Sequence, residues 1–214
     1  MQIPAYGKQS NIKNKELVQK RRIQIIKAAA KLFSKKGYHR TSVKEIAKAS
    51  GISIGSLYDY IKNKEDILYF FYERYVDELE RRIKEETKGA KNPLQELRLA
   101  LGAYMDTVDL FQDYVLFLYQ ESKYMKKRDL INIFKLELFT NDIFIDIIKR
   151  GNEGYFKVKE PLLAGVFISL LTSGWALKRW NLKEYKLGAY KDYLIDFFLY
   201  GVHAKDGVRK ESKD

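Results

Sequence analysis

Apolar residues recur at spacings of three and four along almost the whole of this 214-residue chain, and no stretch alternates apolar and polar residues as a half-buried strand does. The chain is therefore predicted to be all-α. Glu16 to Lys36 carries Ile25, Ile26, Ala29, Ala30, Leu32 and Phe33 at helical spacing and stops at Gly37, a residue suited to a helix C-terminus. A short helix follows, opened by a capping box of Ser42 with Glu45 and running through Ser50. After Gly51, Ser53 caps a second short helix to about Ile61. Asn63 caps a long one from Lys64 to near Lys88, with Leu68, Phe71, Tyr75, Leu79 and Ile83 along one side. Beyond the break at Gly89 to Pro93, further helices are predicted near 94–110, 113–124, 127–151, 160–180 and 186–203. The polar ends, Gly7 to Lys15 and Lys205 to Asp214, are expected to fray.

Charge divides the chain. Residues 1–64 hold 15 Lys and Arg against 3 Asp and Glu, so the whole net charge of +12 sits there, while residues 65–214 balance. A neutral body with a concentrated basic head is the pattern of a protein that places one end on a polyanion. The alternative is a solvated lysine-rich face. The chain has no cysteine, which removes disulfides and thiolate chemistry and suits a reducing cytoplasm. Two histidines, His39 and His203, are too few for an easy triad or zinc site, and no metal or cofactor is expected. The N-terminal residues have no apolar run of signal-peptide length. Pro161 to Leu177 is uncharged over 17 residues, the lower limit for a membrane span. Its Ser169, Thr172, Ser173, Pro161, Gly165 and Gly174 favour a buried or interface helix instead, and no membrane partner is expected.

Two short helices separated by a glycine turn have the geometry of a helix-turn-helix, whose second helix enters the DNA major groove. Ile46, Ala47, Ile52, Leu57 and Ile61 supply the shared apolar seam. That leaves Ser53, Gly55, Ser56, Asp59 and Tyr60 outward, with Tyr58 at the margin. Small side chains let a helix approach base edges, and tyrosine hydroxyls reach phosphate oxygens. Lys64, with the free amides of its helix, and Thr41 and Ser42 at the start of the first short helix suit phosphate as well.

The segment IIKAAAKLFSKKGYHRTSVKEIAKASGISIGSLYDYIKNKEDIL, Ile25 to Leu68, resembles the TetR family of bacterial and archaeal transcriptional regulators. Phe33, Gly37-Tyr38, Thr41, Ile46-Ala47, Gly51-Ile52-Ser53, Gly55, Leu57-Tyr58, Tyr60 and Lys64-Glu65 carry the likeness. It implies a three-helix DNA-binding head on a larger helical body that dimerises and binds a small effector, with repression or, less often, activation as the outcome. It also implies DNA-facing roles for Thr41, Ser53, Ile54, Gly55, Ser56, Tyr58, Tyr60 and Lys64. Ile54 stands where the family often has a polar residue; it packs inward near Leu57 and Ile61 or touches a thymine methyl, the second being preferred. For Tyr58 the alternative is a core aromatic, and for Arg40 and Lys64 a solvated charge. Lys8, Lys13, Lys15, Lys20, Arg21 and Arg22 are either a groove-seeking arm or a plain soluble tail. The division expected is a basic leader over 1–15, a head over 16–64 and a body over 65–214.

The body is dense in aromatic residues, most of them core. Tyr104, Phe117, Tyr119, Gln120, Phe134, Trp175 and Arg179 are singled out as effector contacts. LYQESK (118–123) and SGWALKRW (173–180) are similar to TetR-family regulators of fatty-acid or acyl-CoA metabolism, which implies an acyl chain or its thioester; a multidrug-type hydrophobic effector is the competing expectation. Leu163, Phe167, Leu170, Leu171 and Gly174, together with Tyr190, Leu194, Phe197, Phe198 and Gly201, are expected to form a two-fold four-helix dimer interface. That pairing sets two heads roughly 34 Å apart, one DNA turn. Two other classes stay open. One is a helical enzyme using paired carboxylates such as Asp142 and Asp146, and the other a helical interaction module that binds no DNA.

Overall fold

The computed structural model describes residues 15–121 and 127–202, so the expected leader before Lys15 and the polar C-terminal end lie outside the described residues. Among the described residues there are nine helices and no strand: α1 Lys15–Lys36, α2 Val43–Ser50, α3 Ile54–Tyr58, α4 Glu65–Glu86, α5 Pro93–Leu110, α6 Gln112–Glu121, α7 Lys127–Gly151, α8 Pro161–Leu177 and α9 Leu187–Val202. Local chemistry sets many of the ends. Asn92 caps α5 by accepting from the Gln95 N–H at 2.9 Å, and Pro93 takes the first-turn position, where its missing N–H is no loss. The Asn63 side chain accepts from the Asp66 N–H at 2.9 Å at the start of α4.

The chain divides into two compact units, and the boundary differs from the sequence expectation at 64/65. One unit runs to Arg74 and takes in Phe117–Ile133; the other holds Tyr75–Leu116 and the chain from Phe134 onward. The reason is continuity: α4, α6 and α7 each contribute residues to both, so no helix end marks the division.

In the first unit α1 lies against α2, and Ile25, Ala29, Phe33, Ile46, Leu57, Ile61, Ile67 and Leu68 are buried together. Phe117 of α6 joins them, stacked on Phe33 with ring centroids 5.3 Å apart and 5.9 Å from the Tyr38 ring. In the second unit α5 is the central rod, packed by α8 and α9 and burying Leu97, Leu101, Tyr104, Met105 and Val108. Ion pairs fix the register of α5 against its neighbours: Arg98 to Asp196 at 3.0 Å and Lys191 to Asp106 at 2.8 Å, both to α9, and Arg150 of α7 to Glu96.

α8 is arranged inside out for a helix of a lone subunit. Its small residues Ala164, Gly165, Ser169, Thr172 and Ala176 are buried, while Leu162, Leu163, Phe167 and Leu170 are 52–60% exposed. A Cβ at Gly165 would stand 3.0 Å from the Ile145 side chain of α7, so any larger residue there must push that side chain aside.

Candidate nucleic-acid interface

The turn between α2 and α3 is built almost entirely from short-range hydrogen bonds. Ser42 takes the extended backbone of a cap; its Oγ accepts from the Glu45 N–H, and the Glu45 carboxylate accepts from the Ser42 N–H at 2.9 Å. The Lys36 ammonium bonds the same carboxylate, and these donors, Lys36 first, hold the Glu45 pKa at about 2. At the other end Gly51 adopts φ 68° and ψ 24°, the left-handed region. Its N–H reaches the Lys48 carbonyl at 3.3 Å, and the Ile52 N–H reaches Ala47 at 3.1 Å, which closes the helix in a Schellman turn. Ser53 then caps α3, its Oγ accepting from the Ser56 N–H at 3.1 Å. Helical bonding continues past the end of α3, with the Ile61 N–H on the Leu57 carbonyl at 3.1 Å. The expected seam, Ile46, Ala47, Ile52, Leu57 and Ile61, is buried throughout.

With those residues turned in, Ser53, Ile54, Gly55, Ser56, Tyr58 and Asp59 are left on the outside. Ile54 is 46% exposed and Tyr58 52% exposed, so neither belongs to the core. Tyr60 is half-buried, and Ser42 is exposed at the head of α2. Three of the singled-out polar groups work within the head. Thr41 is buried, and its hydroxyl donates to the Gly37 carbonyl at 2.8 Å. The Lys64 ammonium bonds the Tyr38 carbonyl at 2.8 Å and the Thr41 carbonyl at 3.1 Å and stands over the Tyr38 ring. Arg40 is exposed, with its Nε on the Lys36 carbonyl at 2.9 Å. Lys20, Lys27, Lys31 and Lys35 of α1 and Lys44 and Lys48 of α2 are exposed, which places a cationic surface on this unit.

Residues 25–69 match bacterial regulatory proteins of the tetR family. The likeness extends well past that segment: the chain is 33% identical over 173 residues to the HTH-type transcriptional regulator HbdR of Aromatoleum sp. (strain CIB), covering 80% of this chain and 75% of that one. The chain belongs to the TetR family. It is also 27% identical over 192 residues to the fatty acid metabolism regulator protein of Bacillus subtilis (strain 168), with 86% and 96% of the two chains covered. Its fold is similar to that of the transcriptional regulator FadR from Bacillus subtilis in complex with stearoyl-CoA, at a TM-score of 0.73 and 25% identity, covering 85% of this chain and 99% of that one. As a TetR-family protein it is a DNA-binding transcriptional regulator, and these relatives are regulators rather than enzymes.

The residues singled out as effector contacts of this TetR-family body differ in their surroundings. Tyr104 is buried against Phe144, and burial pushes its phenol pKa up. Trp175 donates to Asp109 at 2.7 Å with its ring 5.3 Å from Tyr190, and Arg179 is exposed and pairs with Asp113 at 2.6 Å. Phe117 belongs to the other unit, in the stack with Phe33; an aromatic on an amphipathic helix carries no mark in its spacing of which unit it fills. Tyr119, Gln120 and Phe134 are exposed.

The residues expected at a dimer interface also divide. Leu163, Phe167, Leu170, Phe197 and Gly201 are exposed. Leu194 and Phe198 are buried in their own subunit. Leu171, Gly174 and Tyr190 join α8 to α9, the Tyr190 hydroxyl donating to the Leu171 carbonyl at 2.8 Å where Gly174 leaves room for it. Sequence reasoning passed over Leu162, Val166, Tyr193 and Tyr200, which are all outward. Their spacing carries the signal: 162, 166 and 170 on α8, and 193, 197 and 200 on α9, each make one helical stripe.

Among the described residues no group of three His, Asp or Glu gathers as a metal site, and no helix is long and apolar enough to cross a membrane. Asp146, one of the two carboxylates considered for acid/base chemistry, pairs with Arg150 at 3.1 Å.

Proposed function

We propose that this TetR-family regulator is a homodimeric repressor that holds a palindromic double-stranded DNA operator with two copies of α3 and leaves it when a small hydrophobic effector, a long-chain acyl-CoA, occupies the body. One observation carries the reading: α3 turns only Leu57 into the core and presents Ser53, Ile54, Gly55, Ser56 and Tyr58 outward from a turn whose own hydrogen bonds are satisfied. Small residues at 53, 55 and 56 let the helix sink toward base edges, Ile54 offers an apolar contact for a thymine methyl, and the Tyr58 hydroxyl meets phosphate. Tyr60, Ser42 and Arg40 lie at the margin of that contact. The exposed lysines of α1 and α2 add the sequence-independent attraction of a cationic surface for duplex DNA.

Dimerisation is supported by the outward apolar faces of α8 and α9, larger than a solitary soluble subunit ordinarily exposes. Paired about a two-fold axis, they make a four-helix interface. The acyl-CoA assignment rests on the fatty acid metabolism regulator among the relatives and on the stearoyl-CoA-bound structure this fold resembles. Effector occupancy acts on the head through α4, which is continuous from Glu65 to Glu86. The protein acts by binding, without catalysis of its own, in the cytoplasm.

The test is selection of a duplex from a random pool, followed by anisotropy titration across a salt series. An inverted repeat should emerge, affinity should fall steeply with salt, and stearoyl-CoA should release the duplex. Salt-insensitive binding or the absence of any repeat overturns the reading.

A further inference from the structure

A polar cluster surrounds Tyr104 inside the second unit. The Tyr104 ring stacks on Phe144 of α7 at 5.4 Å, and its hydroxyl shares hydrogen bonds with Tyr75 of α4 and Thr172 of α8. The Thr172 hydroxyl gives its proton to the Ile168 carbonyl at 2.8 Å. Against the larger upward effect of burial, both hydroxyl partners of Tyr104 lower its pKa.

α7 brings two acceptors to the same region. Glu137, Asn141, Phe144 and Ile148 follow at spacings of four, three and four, which is one face of a helix. Phe144 and Ile148 are fully buried, and Asn141 is only 4% exposed. The charge of Glu137 also raises the Tyr104 pKa, as the last of its causes after burial and the two hydrogen bonds. Glu137 is nevertheless exposed, although burial of its carboxyl pushes its own pKa up. Glu137 stands one turn before the buried Asn141 on the same stripe of α7, where that stripe reaches solvent. The buried Asn141 Oδ1 has no hydrogen-bond partner, and no hydrogen bond or ion pair engages Glu137 among the described residues.

We infer that Glu137 and Asn141 form the polar end of the effector site, and that the group they receive is a hydroxyl carried on an otherwise apolar acyl chain. This rests on the acyl-thioester reading and narrows it. A saturated chain pressed against Asn141 leaves a buried acceptor unpaired, which is unfavourable. A carbonyl brings no proton to the Asn141 oxygen, and a cation would have to give up its water beside a residue that is only 4% exposed. A hydroxyl both donates and accepts, so it satisfies either state of the Glu137 carboxyl and either orientation of the Asn141 amide.

The test is calorimetric titration of the full-length protein with decanoyl-CoA, 3-hydroxydecanoyl-CoA and 10-hydroxydecanoyl-CoA. One hydroxylated thioester should bind at least tenfold more tightly than decanoyl-CoA. Asn141→Leu and Glu137→Leu, each with its helical circular dichroism retained, should lose that preference and bind the hydroxylated thioester and decanoyl-CoA with equal affinity. Equal or tighter binding of decanoyl-CoA by the unaltered protein overturns the inference and leaves the acyl-thioester reading standing. So does a preference that survives in both variants. Failure of all three thioesters while stearoyl-CoA binds overturns the inference alone; failure of stearoyl-CoA as well overturns both.

Discussion

The Lys64 ammonium lies 4.0 Å from the centre of the Tyr38 ring and donates at 2.8 Å to the carbonyl of that same residue, 26 positions earlier in the chain. It thereby fastens the start of α4 to the turn between α1 and α2. Lys64→Met keeps the apolar stem against the ring and removes the charged donor. Loss of the donor should lower stability by about 1–2 kcal/mol, a melting shift of several degrees in thermal unfolding. Because Lys64 is half-buried, the lower end of that range is expected.

The capping box of α2 gives a prediction for acid. The folded pKa of Glu45, about 2, lies below the ordinary 4.5, so its contribution is present above pH 4.5 and is lost as pH falls toward 2. Thermal melts of the unaltered protein and Glu45→Gln should therefore differ at pH 7 and draw together below pH 4. Ser42→Ala, which removes the cap itself, should cost about 1 kcal/mol at pH 7.

Two glycines of the head should respond in opposite ways. Gly51→Ala forces a side chain into φ 68° and should destabilise by about 1–2 kcal/mol in denaturant titration. Gly55 sits in α3 without a positive φ, and a Cβ there meets nothing within 4 Å. Gly55→Ala should raise helix stability by about 0.5–1 kcal/mol. It should nonetheless weaken operator binding, because the new methyl group stands on the outward face.

Tyr58→Phe should leave the melting temperature unchanged, since the ring is already half exposed. Its loss of affinity, about fivefold for one hydrogen bond, should be the same on every duplex, as a phosphate contact requires. Ile54→Ser should instead change the ranking of duplexes in a competition assay.

Phe167→Glu combined with Phe197→Glu places charges on both outward faces without touching the core of the subunit. Sedimentation should then give a monomer with unaltered helical circular dichroism. Operator affinity should fall by orders of magnitude, because two linked heads no longer bind together.

The head was legible because its signals are local. Ser42, Gly51, Ser53 and Asn63 each fix a helix end through contacts within four residues, and the seam from Ile46 to Ile61 follows from spacing alone. α3 ends at Tyr58 rather than Ile61: the Asp59 and Tyr60 N–H groups reach back three residues, to Ser56 and Leu57, and only the Ile61 N–H returns to four-residue bonding. The body was less legible, since periodicity reveals that a helix has an apolar side without saying what covers it. Leu194 and Phe197 stand three residues apart, yet one is buried at 6% exposure and the other is 65% exposed. Glu137 left a readable trace, an acid in register with Asn141, Phe144 and Ile148; its meaning required the buried neighbours.

On α3 the inward and outward sets share no member: Leu57 anchors the rod while Ile54, Gly55, Ser56 and Tyr58 support nothing beneath them. Mutation can thus redraft what this surface recognises without disturbing the scaffold that presents it. A lineage carrying such a head can drift between target sites while its fold stays still.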